Sequence, residues 1–482
     1  IVQGYTNGTS SIDAGITSTS IYPDSNQPGK RQINATIKNF GTTLITGITV
    51  AYYVNNDYCE KSMQMGLESG ASEEINLGNY PFFTPGDYNV KIVAVLPNDA
   101  NPDNDALTKT ITIQPQVVSA INSQWAINPK DIAPHEGLLE NITSSIDKQG
   151  NTIVTGDFVG TVDFDLTATG VYNVTSVPYD ESNSFIAKYN SNGELLFVKK
   201  IESTNSTTFK ASTLDAEGNI FISGYFEGSV NFNLSNGVSV YKESQGHSSA
   251  YFAKYSPNGE LIFVKTIPTT RESSAEAIAI DGNNNICISG SFSGIANFNI
   301  NSDESFEMQA DKTNSFVAKY SGTGELIFAK NIQCTDISIT RSISLDSENS
   351  IYVGGEFSND LYPNPADESI KFTSNGSSDI FIAKYSSAGD YVYAKAFGST
   401  DEDGVSQIAI NSSKELLATG QFFNTIDFNS GAADGKLTSA GCTDIYVVKL
   451  GANGEYLFAK RFGSTLYDFG KFLVLDADEH IY

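Results

Sequence analysis

The chain has 482 residues, with 56 acidic and 29 basic side chains and a net charge of −27. Such an acidic excess repels nucleic acid and anionic lipid, which are bound through basic patches. No apolar run approaches the roughly 18 residues that would cross a bilayer, so neither nucleic acid nor membrane insertion is expected. The length allows two or more domains. Its 24 Tyr and 29 Phe, among abundant Asn, Ser, Thr and Gly, suit many short strands joined by turns. The acidic surplus reads first as a solubilising surface and second as a capacity for cations, especially calcium. The chain opens at Ile1 without a signal peptide, as a mature product or an excised piece would.

The first hundred residues show period-2 patterning. Ile33, Ala35 and Ile37 alternate with polar residues before an Asn-Phe-Gly turn at 39–41. Ile48, Val50, Tyr52 and Val54 alternate next, then Val90, Ile92, Ala94 and Leu96 after Pro85-Gly86. This pattern predicts half-buried antiparallel strands of a β-sandwich. An acidic loop follows at 98–105, holding Asp99, Asn101, Asp103, Asn104 and Asp105. Its oxygens are of the kind calcium takes, yet Asn, Asp and Pro also build ordinary turns; the turn is the favoured reading. The order of these segments, with the NFG turn, the YYVNN strand end and the NPDND loop, resembles the CARDB family of bacterial adhesion-related, immunoglobulin-like domains. That resemblance implies a domain over residues 1–115, followed by a linker at 116–122.

Beyond the linker one stretch keeps returning. SFIAKYNSNGELLFVKKI at 184–201 recurs at 250–267, 315–332, 380–397 and 445–462. Its marker lysines, Lys188, Lys254, Lys319, Lys384 and Lys449, are spaced by 66, 65, 65 and 65 residues. Trp125 to Ile127 occupy the place of Phe197 to Lys199 one repeat later. A second motif tracks the first: NTIVTGDF at 151–158, NIFISGYF at 219–226, NICISGSF at 285–292, SIYVGGEF at 350–357 and ELLATGQF at 415–422. Each is followed by a second aromatic, as at Phe164, Phe232, Phe298 and Phe428. Two hairpins per repeat give four strands, and four-stranded units repeated at a fixed period define β-propeller blades. The expected fold is therefore all-β: an immunoglobulin-like sandwich, then a propeller over 123–482 with five repeats and the start of a sixth. A period near 65 exceeds the roughly 40–50 of common blades. The surplus at 166–183, 234–249, 301–314, 359–379 and 430–443 predicts an extra strand or long loops on one rim.

Two features recur along the repeats. Asp147, Asp215, Asp281, Asp346 and Asp476 open D-x-x-G-N-type turns, where an Asp bonds its own backbone; one carboxylate per blade is too few for a calcium cage. Asn411 departs from the pattern, in NSSKE. The marker lysines form one ladder, and Lys199, Lys265, Lys330, Lys395 and Lys460 form another. Packing of their stems, with the ammonium groups reaching Glu194, Glu260, Glu325, Asp390 and Glu455, is the favoured reading. A cationic ring able to hold an acidic sugar is the other.

This region resembles the SBBP-type bacterial β-propeller repeat, with residues 379–385, Gly389, 391–393, Gly398 and Gly420 matching its pattern. Pairing of CARDB-like and SBBP-like segments resembles proteins of the Bacteroidota. It implies a secreted or outer-surface protein, exported by the type IX system through a sorting domain beyond Tyr482. DADEHIY, at the start of the sixth repeat's second hairpin, likewise points to a longer polypeptide.

No catalytic motif is present: no G-x-S-x-G, no H-E-x-x-H, no phosphate loop and no Cys–His pair. Cys59, Cys287, Cys334 and Cys442 form no CxxC, and His135, His247 and His480 are scattered, so neither a disulfide framework nor a zinc site is expected. The expected function is non-catalytic adhesion or scaffolding through propeller loops that bind a protein or polysaccharide. The alternative is an accessory region of a secreted hydrolase.

Overall fold

The computed structural model describes residues 11–22, 29–55, 57–63, 66–82, 86–113, 130–131, 137–167, 170–176, 182–233, 239–300, 304–430, 433–476 and 478–482. Contacts divide the chain into two units, Ile1–Ser123 and Gln124–Tyr482. The predicted linker and Trp125 lie outside the described residues.

The first unit is a sandwich of a three-stranded and a four-stranded antiparallel sheet. The smaller sheet orders Ala14–Tyr22, Gly29–Asn39 and Ser72–Phe82. The larger orders Asp57–Met63, Ile48–Val54, Gly86–Val95 and Ala106–Ile113. The alternating residues read from sequence supply its core: Ile33, Ala35, Ile37, Val50, Tyr52, Val54, Val90, Ile92 and Ala94 are all buried. Each large apolar side chain removed from water in this way favours folding by about 1.5–3 kcal/mol. The NFG turn is locked by Asn39, whose amide donates to the Thr43 and Leu67 carbonyls and whose Oδ1 accepts from the Gly41 amide.

The second unit repeats a four-stranded antiparallel meander. Blade 1 comprises Gly137–Ile146, Thr152–Asp163, Asn183–Tyr189 and Leu195–Ser203. Blade 2 comprises Thr207–Leu214, Ile220–Phe226, Ser249–Tyr255 and Leu261–Ile267. Blade 3 comprises Ser273–Ile280, Ile286–Asn297, Glu307–Tyr320 and Leu326–Cys334. Blade 4 comprises Ser338–Leu345, Ile351–Phe357, Asp379–Tyr385 and Tyr391–Phe397. Blade 5 comprises Gly404–Ile410, Leu416–Asp427, Lys436–Leu450 and Tyr456–Phe462. First strands of successive blades lie against one another, which makes them the axial strands of a propeller. The start of the sixth repeat runs beside blade 5, its Leu473 amide donating to Gln407 Oε1 at 2.9 Å.

The surplus length of each repeat extends its second and third strands into a two-stranded ribbon. In blade 2 the ribbon is Ser229–Asn231 with Tyr241–Glu243, and it pairs with Glu202 and Ser203 at the outer edge of blade 1. Asp360–Tyr362 of blade 4 pairs in the same way with Gln333 and Cys334 of blade 3. In these blades the long repeat hydrogen-bonds an otherwise open outer edge to its neighbour.

The recurring aromatics form one cluster per blade. Phe292, Phe298 and Phe316 meet edge-on in blade 3, as do Phe158, Phe164 and Phe185 in blade 1. Buried Tyr189, Tyr255 and Tyr320 donate to the carbonyls of Phe164, Phe232 and Phe298, each at 3.0 Å. A buried phenol needs such an acceptor, and here it ties the third strand to the root of the ribbon.

Candidate functional site

The first lysine ladder is structural in its geometry. Lys188, Lys254, Lys319 and Lys384 reach Asp147, Asp215, Asp281 and Asp346 at 3.0, 3.5, 2.8 and 3.6 Å. The register explains the meeting. Pairing such as Ile153 with Lys188 sets each lysine beside the turn joining the first two strands. The expected partners at the hairpin tips, Glu194 and its equivalents, are not those of this ladder. Lys265 of the second ladder does meet a hairpin-tip carboxylate, Glu325, at 3.9 Å.

Each turn aspartate works with both oxygens. In Asp281, Oδ1 accepts from the amides of Asn283 and Asn285, while Oδ2 meets the Asn285 amide group and Lys319. Burial raises the carboxyl of Asp281, but these hydrogen bonds outweigh it and hold the pKa below the ordinary value; Asp147 and Asp346 behave alike. Lys188 and Lys319 also donate to the carbonyls of Pro257 and Ser387, about one repeat further along. The ladder therefore staples turn to strand and blade to blade.

The hairpin glycines Gly259, Gly324, Gly389 and Gly454 belong to the same packing. A Cβ on Gly259 would lie 2.8 Å from the ring of Phe197 and 3.0 Å from the stem of Lys199 in the preceding blade. Its φ of 76° independently favours glycine.

The repeats differ where the axial strands bulge. Each first strand carries one extra residue relative to its partner: Lys210 in blade 2, Glu276 in blade 3, Arg341 in blade 4 and Ser406 in blade 5, while in blade 1 Asn141 and Ile142 together face Gly156. Such a bulge re-aims a side chain out of the sheet's alternation. It also accounts for the glycine ending each second motif, because a Cβ on Gly290 would stand 1.9 Å from the Ser274 carbonyl oxygen.

Bulge side chains from different blades meet. Glu276 lies 3.4 Å from Lys210 and 3.7 Å from Arg341, and Arg341 in turn contacts Glu356 at 2.5 Å. Burial disfavours the Arg341 charge, but Glu356 and Glu276 outweigh it and raise the pKa further. These residues, with Asp403, Ser406, Gln421, Phe423, Tyr467, Phe469 and Lys471, line a cleft of about 760 Å³. A second cleft of about 530 Å³ shares Lys210, Glu276, Arg341, Ser406 and Lys471. Burial pushes Asp403, whose carboxylate accepts from the amides of Ser399 and Phe423, up to about 6.

None of these cleft residues was singled out from sequence. The available signal was the position fourteen residues before each strand-ending glycine, where Lys210, Glu276, Arg341 and Ser406 replace one another.

In the acidic loop of the first unit, Asp99 accepts from the amides of Ala14 and Asn101, and Asn104 donates to Asp13 Oδ1. Burial raises the Asp105 carboxyl, with Asp99 and Asp13 adding to it. Among the described residues no group of three or more His, Cys, Asp or Glu is arranged to hold a metal ion. Cys287 is buried, which pushes its thiol up to about 12. His135 and the side chain of Cys59 lie outside the described residues.

Fold and site together define an all-β protein with an immunoglobulin-like sandwich and a β-propeller that carries an axial cleft. No family model matches the chain. It is 24% identical over 480 residues to an uncharacterized WD repeat-containing protein, L264, of Acanthamoeba polyphaga mimivirus; the match covers 83% of this chain and 34% of that protein. The chain thus spans about a third of that relative's length. Among solved structures, the CARDB domain of a Pyrococcus furiosus protein, determined in complex with di-metal ions, is 16% identical. It covers 22% of this chain and 96% of its own, at a TM-score of 0.18. A DUF4221-family protein of Bacteroides vulgatus is 10% identical, covering 66% of this chain and 95% of its own, at a TM-score of 0.25. Among the described residues no helix is long and apolar enough to cross a membrane.

Proposed function

We propose that this chain is a non-catalytic binding region of a secreted or surface-attached protein, serving adhesion or scaffolding. The observation that carries this reading is the axial cleft. Five blades share their core, ladder and hairpins, yet diverge in charge and shape at the bulge, where Lys210, Glu276, Arg341 and Ser406 stand. A surface that varies on an otherwise uniform scaffold is where recognition is placed. Its charged groups are held in a mutual ion-pair chain that suits them to orient a polar ligand.

The ligand is a protein or a polysaccharide at a bacterial exterior, and SBBP-like repeats, a Bacteroidota source and type IX export belong to the same proposal. Arrays of glycans and purified extracellular proteins, probed with the chain and with R341Q/E356Q, test it. A ligand bound by the first and lost by the second is expected. Turnover of a bound glycan would contradict the non-catalytic reading. Discovery of a catalytic domain in the exported polypeptide would recast the region as an accessory of a hydrolase.

A further inference from the structure

We infer that the junction between blades 2 and 3 holds a pocket, separate from the axial cleft, for a guanidinium group of the kind an arginine side chain presents. The pocket is a cavity of about 290 Å³. That is near the lower end of the roughly 300–1,000 Å³ of ligand sites, and gives room for one side chain. Glu227 follows the second strand of blade 2, His247 precedes its third strand, and Glu272 precedes the first strand of blade 3. Backbone hydrogen bonds fix these segments: the His247 amide donates to the Arg271 carbonyl at 2.6 Å, and the Ser293 amide to the Glu272 carbonyl at 2.8 Å. His247 Nδ1 lies 3.5 Å from Glu227 and 4.0 Å from Glu272, so both carboxylates converge on one ring nitrogen.

Two buried hydroxyls complete the site. Ser291 and Ser293, on the second strand of blade 3, line the cavity and are each 9% exposed. Among the described residues neither hydroxyl has a hydrogen-bond partner, a state that costs free energy until a ligand supplies one. A guanidinium carries five N–H donors and no acceptor, in a planar fork that meets carboxylates in pairs. The lining offers the converse: Glu227 and Glu272 answer the charge, and the hydroxyls of Ser291, Ser293 and Thr313 accept. Among the described residues neither Lys nor Arg lines the cavity. Lys210, over the ring of the lining residue Tyr225, is already paired with Glu276. An anion would face two carboxylates with His247 alone to offset them. The same position recurs 130 residues on, where Glu402 and Thr443 of the axial cleft match Glu272 and Thr313, but there Lys210 and Arg341 also line the space. At the junction between the two, Ile337 replaces Glu272.

The test is a ligand-observed NMR titration of the 482-residue chain with capped Gly-Arg-Gly, Gly-Lys-Gly and Gly-citrulline-Gly peptides. Citrulline keeps the shape of arginine and loses its charge. The arginine peptide should bind at millimolar concentration, about fivefold or more tighter than either of the others. E227Q/E272Q should weaken it about tenfold, and because neither side chain is buried its melting temperature should stay within about 2 °C of the parent. S291A/S293A should weaken it about threefold without lowering the melting temperature, since these hydroxyls have no partner to lose. R341Q/E356Q should leave it unchanged, so the pocket and the axial cleft fail separately. Equal affinity for the citrulline or lysine peptide overturns the inference. So does arginine affinity that survives E227Q/E272Q, which would mark a general attraction to the net charge of −27. Calcium or zinc taken up at Glu227 and Glu272, with no binding of the arginine peptide, overturns it as well.

Discussion

Lys449 meets Glu415 at 2.5 Å, whereas its four counterparts in the ladder meet the first residue of the turn. Blade 5 has Asn411 at that first position, and the Asn411 amide donates to Glu415 Oε2 and to Glu479 Oε2 at 2.7 and 2.9 Å. The carboxylate has moved four residues along the chain, and the ion pair has been kept. What looks in sequence like a broken motif is the same electrostatic contact with its two polar residues exchanged.

That exchange should be reversible. N411D alone should destabilise the chain at neutral pH, because a carboxylate at this position would face Glu415 and Glu479 where the native amide donates to both. N411D/E415N should recover most of the loss by restoring the pattern of the other blades. A thermal-melt cycle measures the coupling, and simple additivity of the two single variants would refute it.

Glycine at the axial bulge is a packing requirement. G290A sets a Cβ 1.9 Å from the Ser274 carbonyl, so the bulge must open; a loss of about 2 kcal/mol or more is expected. G282A is the control. Its Cβ would come no nearer than 3.3 Å, to the end of the Asn349 side chain, and a change under about 1 kcal/mol is expected. Equal effects in denaturant titrations would contradict the account of the bulge.

Stability should pass through a maximum as the pH falls. Burial pushes Asp157 and Asp403 up to about 6 against an ordinary 3.8, so the folded state holds these protons more tightly. Their contribution to stability therefore grows as pH drops from above 6 towards 3.8. Asp147, Asp281 and Asp346 lie below 3.8 when folded, so their contribution is complete above that value and is lost as pH falls through their lowered pKa values. Relief of the −27 net charge adds a general trend, which D157N/D403N isolates. That variant should flatten the limb between about pH 6 and 4 and leave the acid limb in place. An unchanged upper limb would show the two buried carboxyls to be uninvolved.

The acidic loop of the sandwich separates two roles. Burial, Asp99 and Asp13 all disfavour the charge of Asp105, so D105N should raise the melting temperature at neutral pH. A turn role predicts that millimolar calcium leaves the parent's melting temperature unchanged. A calcium-dependent rise abolished by D105N would make the loop a calcium site.

Much of this architecture was legible in the sequence because it repeats. Period-2 runs located the sandwich strands, and Lys188 to Lys449 set the blade phase. The ladder's partner was misread for a physical reason. Glu194 is near Lys188 and Lys199 in sequence, but the strand register brings Lys188 beside Asp147. The axial cleft escaped notice for the opposite reason. Lys210, Glu276, Arg341 and Ser406 share neither charge nor size, so their common distance from the strand glycine did not stand out as a motif, and the bulge is what gives them one structural position.

The central claim is that recognition sits at the divergent axial cleft and that the repeated lysines hold the fold. Affinity for a ligand found on the arrays, measured for the parent, R341Q/E356Q and the ladder variant K319M, tests it directly. The account predicts at least a tenfold loss of affinity in R341Q/E356Q with its melting temperature kept. It predicts for K319M a melting temperature lowered by several degrees, through the buried Asp281 carboxylate losing its counter-charge, with affinity intact where the protein is folded. Loss of binding in K319M with none in R341Q/E356Q would contradict it.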